Sequence, residues 1–252
     1  MPVRNGVLVT RPEPGLSETM AAVARLGFSP VACPLLRITG RPARLPASCQ
    51  LDAILLTSGQ AVAAMDAAAR GDPDLRALPV FAVGDSTASR MRAAGFARTH
   101  SAAGDADDLA ALVCAQMPAP AALLLATGSG QGRGLAMTLR AHGYGLHRRA
   151  VYAARPMPRL APAAEAALRD QRIAACLFFS AETARTFAQT FAQTFDRCPL
   201  APGCVLDDIT ALVLSAAVGE ALAGLTWRSV RIAPRPEASA LLALLHDTRR
   251  NA

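Results

Sequence analysis

The chain has no lysine; its 26 basic residues are all arginine. A phosphate loop of the form GxxxxGK[ST] is therefore excluded. Aromatic residues make up only 4% of the chain. The arginines are scattered rather than clustered, so the interleaving of rings and cations found on nucleic-acid surfaces is missing. The net charge of +7 favours an acidic partner, but nothing points to nucleic acid. Cys33, Cys49, Cys114, Cys176, Cys198 and Cys204 form no CxxC pair, and no His stands at ligand spacing to them. They read as reduced thiols, with no metal site. No apolar run reaches the roughly 18–20 residues of a membrane span. The opening stretch MPVRNGVLVTRPEP lacks the apolar core of a signal peptide. We expect a soluble, cytoplasmic protein.

Catalytic signatures are equally scarce. GxSxG is absent, and His100, His142, His147 and His246 have no acid partner in sequence. Asp52, Asp66, Asp72 and Asp85 show no paired-carboxylate spacing. The Gly-rich loop from Thr127 to Gly134 fails as GxGxxG, because Arg133 occupies the third glycine slot counted from Gly128. Arg133 can still contact an anion. The three phenylalanines Phe187, Phe191 and Phe195 recur every fourth residue and read as a core-facing helical stripe.

What is present is alternation. Apolar, strand-like runs at Val7–Thr10, Val31–Ile38 (kinked at Pro34), 53–57, Val80–Val83, Ala121–Ala126, Leu146–Arg155, Ala174–Phe179, Ile209–Leu214 and Val230–Ala233 are separated by helical patterns. Alternation of this kind argues for parallel sheets. The stretch VFAVGDSTASRMRAAGF (80–96) is typical. A strand turns at Gly84 and Asp85, and Ser86 and Thr87 stand ahead of a helical pattern from Ala88 to Ala94 that stops at Gly95. Such a junction makes an anion-binding mouth, because the first N–H groups of a helix are unpaired and its dipole adds partial positive charge.

Two pairs of segments resemble each other in the same order. ILLTSGQAVAAM (54–65) is similar to CLFFSAETARTF (176–187), and FAVGDSTASRMRAAG (81–95) to LVLSAAVGEALAG (212–224). We infer two similar α/β lobes with a ligand cleft between them; the N-terminal βαβ unit can belong to either. Ligands of open parallel sheets sit at the carboxyl ends of strands. The candidate contacts are therefore Thr10 and Arg11, Thr57 and Ser58, Gly84, Ser86 and Thr87, Gly128 and Arg133, and Ser180 and Thr183. Any one hydroxyl is equally well explained as a helix cap; five such sites at equivalent strand ends are harder to dismiss. Tyr152 closes a strand entering the proline-marked linker (Pro156, Pro158, Pro162). A phenol there is either structural or a proton donor to a leaving group.

VLVTRPEPG, VARLGFSPVACPLL, ILLTSGQAV, AVGDSTASRMRAAGF, GDADDLAALV, LLLATGSGQGRGLAMTLRAHGYGLHRRAVYAARP and LFFSAETARTF, taken in order, resemble uroporphyrinogen-III synthases over nearly the whole chain. The resemblance implies two parallel-sheet lobes joined by a two-stranded linker, with residues 1–36 plus 157–252 in one lobe and 37–156 inserted as the other. It implies a hydro-lyase that closes hydroxymethylbilane to uroporphyrinogen III, through an azafulvene and a spiro-pyrrolenine, in haem biosynthesis. No cofactor or metal is implied. Tyr152 matches the tyrosine thought to help the hydroxyl leave, Thr87 a cleft-facing threonine, and Ser58 and Ser180 a pair of strand-end serines. Ser215-Ala-Ala-Val218 departs from the Gly and Thr usual there. The partner is a linear tetrapyrrole, handed over transiently by the enzyme that makes it, and the chain is expected to be a monomer. The alternatives are a non-catalytic two-lobed protein that binds an anionic small molecule and, more weakly, a nucleotide-using α/β enzyme.

Overall fold

The first strand, β1 (Gly6–Val9), is buried on both faces and pairs in parallel with two strands distant from each other in sequence. The computed structural model describes residues 4–195 and 205–248; Cys198 and Cys204 lie outside them. The chain divides into two units, Met1–Arg37 with Arg155–Ala252 and Ile38–Ala154.

In the first unit, α1 (Gly15–Arg25) follows β1 and leads to β2 (Ser29–Ala32). After the second unit come α6 (Pro162–Arg169), β9 (Ile173–Phe178), α7 (Ala181–Phe195), β10 (Thr210–Val213), α8 (Ala216–Glu220), β11 (Ser229–Ile232), α9 (Ala238–Ala243) and α10 (Leu245–Thr248). The sheet order is β11-β10-β9-β1-β2, with every paired neighbour parallel. Period-2 alternation sends side chains to opposite faces. Leu8, Cys176, Phe178, Ala211 and Val213 enter one hydrophobic cluster, and Val7, Val9, Ala175, Leu177 and Leu212 enter the other. Helices cover both faces, which is why these strands read as unbroken apolar runs. The phenylalanine stripe packs as expected: Phe187, Phe191 and Phe195 are buried, with ring centroids 5.5 and 4.6 Å apart along the helix.

The second unit holds β4 (Ala53–Leu56), α2 (Val62–Gly71), β5 (Val80–Ala82), α3 (Asp85–Ala93), β6 (Thr99–Ser101), α4 (Ala106–Gln116), β7 (Ala122–Gly128), α5 (Arg133–Ala141) and β8 (Gly145–Pro156). Its sheet order is β3-β8-β7-β4-β5-β6, where β3 spans Leu36–Gly40. The same alternation divides Ile54, Leu56, Leu124 and Ala126 from Ala53, Leu55, Leu123 and Leu125. Asp105 starts α4 with a capping box, its carboxylate accepting from the amides of Asp107 and Asp108 at 2.8 and 3.2 Å while the Asp108 carboxylate accepts from the Asp105 amide at 2.9 Å.

Two sequence expectations are corrected, and one strand is added. The run Val31–Ile38 is two strands, not one kinked strand. After β2 the chain turns through Cys33–Leu35, and β3 joins the other sheet. Helix α3 begins at Asp85 rather than Ala88, which puts Ser86 and Thr87 inside its first turn. Strand β6, too short and polar to announce itself, extends the second sheet beyond β5.

Candidate functional site: the carboxyl ends of both sheets

In each unit the strand order reverses once, and a crevice outside the carboxyl ends is expected at that reversal. In the first unit the reversal lies between β1 and β9. Thr10 and Arg11 leave β1 there, and Ser180 follows β9. Thr10 is fully buried, and its hydroxyl donates to the Leu177 carbonyl at 2.6 Å, so it ties the two central strands together. The Arg11 guanidinium lies over the Phe179 ring at 4.3 Å and donates to Thr19 Oγ1 at 3.4 Å. Gly15 makes room for it: a Cβ there would collide with the guanidinium. The Ser180 Oγ accepts from the Thr183 amide at 3.2 Å and shares a 2.6 Å hydrogen bond with the Thr183 hydroxyl. This pair therefore caps α7, and Thr183 is buried.

In the second unit the reversal lies between β4 and β7. Thr57 and Ser58 follow β4, and both are half-buried. Ser58 caps a short 3₁₀ turn by accepting from the Gln60 amide at 3.3 Å. Gly84 is the N-cap of α3; it has no side chain, so no side chain closes the first turn of that nine-residue helix. Ser86 is exposed there and Thr87 is buried. A Cβ on Gly59 would stand 2.9 Å from Arg90 Nη1 and 3.7 Å from Thr87 Oγ1. The turn after β4 thus brings Gly59, the residue after Ser58, beside Thr87 and Arg90 of α3. Arg90 was not legible as a site residue; its place on α3 one turn after Thr87 is the available signal.

Across the reversal, Tyr152 of β8 sits opposite Gly128 after a bulge between Thr127 and Gly128. Its ring is 4% exposed, and its hydroxyl donates to Gln131 Oε1 at 3.0 Å. A Cβ on Gly128 would meet the Tyr152 ring at 2.9 Å and Gln131 Oε1 at 2.7 Å. The loop after β7 is pinned further. The Ser129 amide donates to the Tyr152 carbonyl at 2.9 Å, Arg41 Nη1 donates to Ser129 Oγ at 2.8 Å, and Arg148 Nη1 donates to the Gln131 carbonyl at 2.8 Å. Gln131, Ser129 and Arg41 are the residues that sequence reasoning misses here. Arg133 opens α5 and lines, with Arg140, Arg148 and Arg149, a groove beside that helix.

Two doubly wound units, each presenting hydroxyls and helix starts at its strand reversal, define a two-unit parallel α/β protein. The family model described as uroporphyrinogen-III synthase HemD matches residues 17–243, and the chain belongs to the uroporphyrinogen-III synthase family. Its fold is similar to the uroporphyrinogen-III synthetase from Helicobacter pylori 26695, with 17% identity, a TM-score of 0.61, and 98% of this chain and 99% of that one covered. It is also similar to a mutant uroporphyrinogen III synthase from the extremely thermophilic bacterium Thermus thermophilus, with 19% identity, a TM-score of 0.55 and the same coverage. No curated protein matches. No helix among the described residues is long and apolar enough to cross a membrane.

Proposed function

We propose that this chain closes hydroxymethylbilane to uroporphyrinogen III, with loss of water and inversion of the last pyrrole ring. The observation that carries the reading is the chemistry at the strand ends: hydroxyls and guanidinium groups stand at the carboxyl ends of strands in each sheet, and in the second unit α3 also starts without a side-chain cap. Such groups suit a substrate rimmed by carboxylates. The substrate's electron-rich pyrroles need little chemical help. The enzyme's task is to hold one conformation and to stabilise developing charge.

In this reading Arg11, Thr57, Ser58, Gly84, Ser86, Thr87 and Gly128 contact the substrate, while Thr10, Ser180 and Thr183 hold the strand ends and the start of α7 in place behind them. Tyr152 supplies the proton with which the substrate hydroxyl leaves as water. The Gln131 amide that accepts the Tyr152 hydroxyl holds the phenol in one orientation. The chain works as a monomer in the cytoplasm and receives the unstable linear tetrapyrrole from the enzyme that makes it.

The test is a coupled assay. Hydroxymethylbilane is generated in place, this protein is added, and the oxidised isomers are resolved by chromatography. Isomer III should dominate; isomer I alone, with folded protein present, would refute the proposal. Within the same assay Tyr152→Phe should lower kcat by about 10²-fold, the usual contribution of a general acid, with KM little changed. An unaltered kcat removes the acid role from Tyr152.

A further inference from the structure

Beside α5, on the flank of the second unit, lies an open groove of about 530 Å³. Arg133 and Arg140 line it from the two ends of α5, and Arg148 and Arg149 line it from β8. Among the described residues no carboxylate pairs with any of the four, whereas Arg70, Arg76, Arg169 and Arg172 all bridge to Asp or Glu. Three of the groove arginines are held by backbone carbonyls instead. Arg140 donates to Leu146 O at 3.3 Å, Arg148 to Gln131 O at 2.8 Å and Arg149 to Arg44 O at 3.0 Å. A neighbouring hollow of about 450 Å³ shares Arg149 and adds Arg44 and His147.

Crowding like charges without counter-ions destabilises a folded chain. Ordinary solvated charge on a strand would explain the cations of β8 alone. It does not explain Arg133 and Arg140, which reach the same groove from a helix. The groove is lined by apolar groups as well, Leu146 and Met137, the latter 69% exposed. An inorganic anion has no use for an apolar strip. A molecule with an apolar body and several carboxylates at its rim matches both features. The volume falls in the range of small-molecule sites.

We propose that this groove is a second binding site for a polycarboxylate with an apolar, ring-bearing body. Its occupant is the tetrapyrrole substrate or product, an identity that rests on the reaction proposed above. Tyr152 is not among the residues that line the groove, but it is joined to them. Arg148 holds the backbone of Gln131, and the Gln131 side chain accepts the Tyr152 hydroxyl.

The experiment is a fluorescence titration of the full chain with uroporphyrin III, the stable aromatic oxidation product carrying the same carboxylates. Wild type should bind two equivalents, the weaker one steeply dependent on salt. In Arg140→Ser/Arg149→Ser the weaker equivalent should loosen by about ten-fold or more, and Arg140→Lys/Arg149→Lys should recover part of the loss. Circular dichroism verifies that both variants are folded. Two equivalents with unchanged affinity in the serine variant would overturn the proposal, as would a single equivalent in wild type. Displacement of the weaker equivalent by inorganic pyrophosphate at equal concentration would overturn the ligand class. The coupled isomer assay on the same preparations separates the two ideas. If isomer III is not made while the serine variant still loses its second equivalent, the reaction fails and the groove stands.

Discussion

Gly128 shows how a single missing methyl group can decide where a candidate catalytic side chain stands. Its hydrogen faces the Tyr152 ring, which a Cβ would approach to 2.9 Å. Gly128→Ala must therefore push the phenol or the Gln131 amide aside. Overpacking of this kind costs about 1–3 kcal/mol, and we expect a lower urea midpoint together with a lower kcat. A variant with wild-type values of both would show that Tyr152 has room the structure does not give it. The buried thiols act through protonation instead. Burial pushes Cys33 from an ordinary 9.0 up to about 11, against a smaller opposing hydrogen bond from the Ala161 backbone. Burial, reinforced by the neighbouring Cys33, likewise raises Cys176. Below about pH 9 both states of the chain keep these protons and stability is unaffected. Between about pH 9 and 11 the unfolded chain loses the Cys33 proton and the native state keeps it. The native state then binds more protons, and stability falls as pH rises through that window. The fall in urea midpoint from pH 8.5 to 11 should be smaller in Cys33→Ala than in wild type; equal falls would mean that Cys33 does not contribute. At neutral pH Cys49 and Cys114, which are exposed, should alkylate well before Cys33 and Cys176 when the modified peptides are followed by mass spectrometry.

At the scale of elements, two hydroxyls that look alike in sequence are used differently. Ser180 is spent on the start of α7, where it accepts from the Thr183 amide. Thr87 lies in the first turn of α3, whose N-cap Gly84 offers no side chain. Ser180→Ala should cost about 1 kcal/mol of stability, the usual loss for an N-cap, read as a lower melting temperature. Thr87→Ala should leave the melting temperature almost unchanged and raise KM. If the two variants exchange these phenotypes, the assignment of cap and contact is wrong. The positions of both hydroxyls are legible in sequence, because a strand, a small polar residue and a helical pattern follow one another within a few residues. Their division of labour is not, since it depends on which amide each oxygen reaches. The strands themselves are legible because burial on both faces leaves long apolar runs. The break between β2 and β3 is hidden by that same property. Val31–Ile38 stays nearly continuous in hydrophobicity, and what divides it is distant hydrogen bonding, with the Cys33 and Leu35 amides donating to Val9 and Thr10 and the Met157 amide to Leu35. The pairing of Tyr152 with Gln131 spans 21 residues and leaves no local trace.

At the scale of the whole molecule, the two units prove to be one plan read from different starting points. The order β11-β10-β9-β1-β2 in one matches β6-β5-β4-β7-β8 in the other, with β3 added outside β8. Strands β4 to β8 follow one another in the chain, whereas their counterparts in the first unit are divided, β1 and β2 before the second unit and β9 to β11 after it. This settles where the N-terminal βαβ segment belongs: it is the counterpart of β7-α5-β8. The sequence carries a faint sign of it. VLVT ends at Thr10 and LLLAT at Thr127, both fully buried. Gly27 before Phe28 and Gly143 before Tyr144 both close their helices at positive φ, 78° and 87°. Each unit also keeps its own hydrophobic clusters: those containing Leu56 and Leu55 draw only on residues of Ile38–Ala154. A unit with a complete core is expected to fold by itself. Residues 38–154 expressed alone should therefore unfold in urea as one cooperative transition, followed by circular dichroism and by the fluorescence of Tyr144 and Tyr152. They should retain the salt-dependent binding of uroporphyrin III at the arginine groove, which this unit contains whole. A sloping, non-cooperative curve would show that the second unit takes essential stability from the first, despite owning every residue of its core clusters.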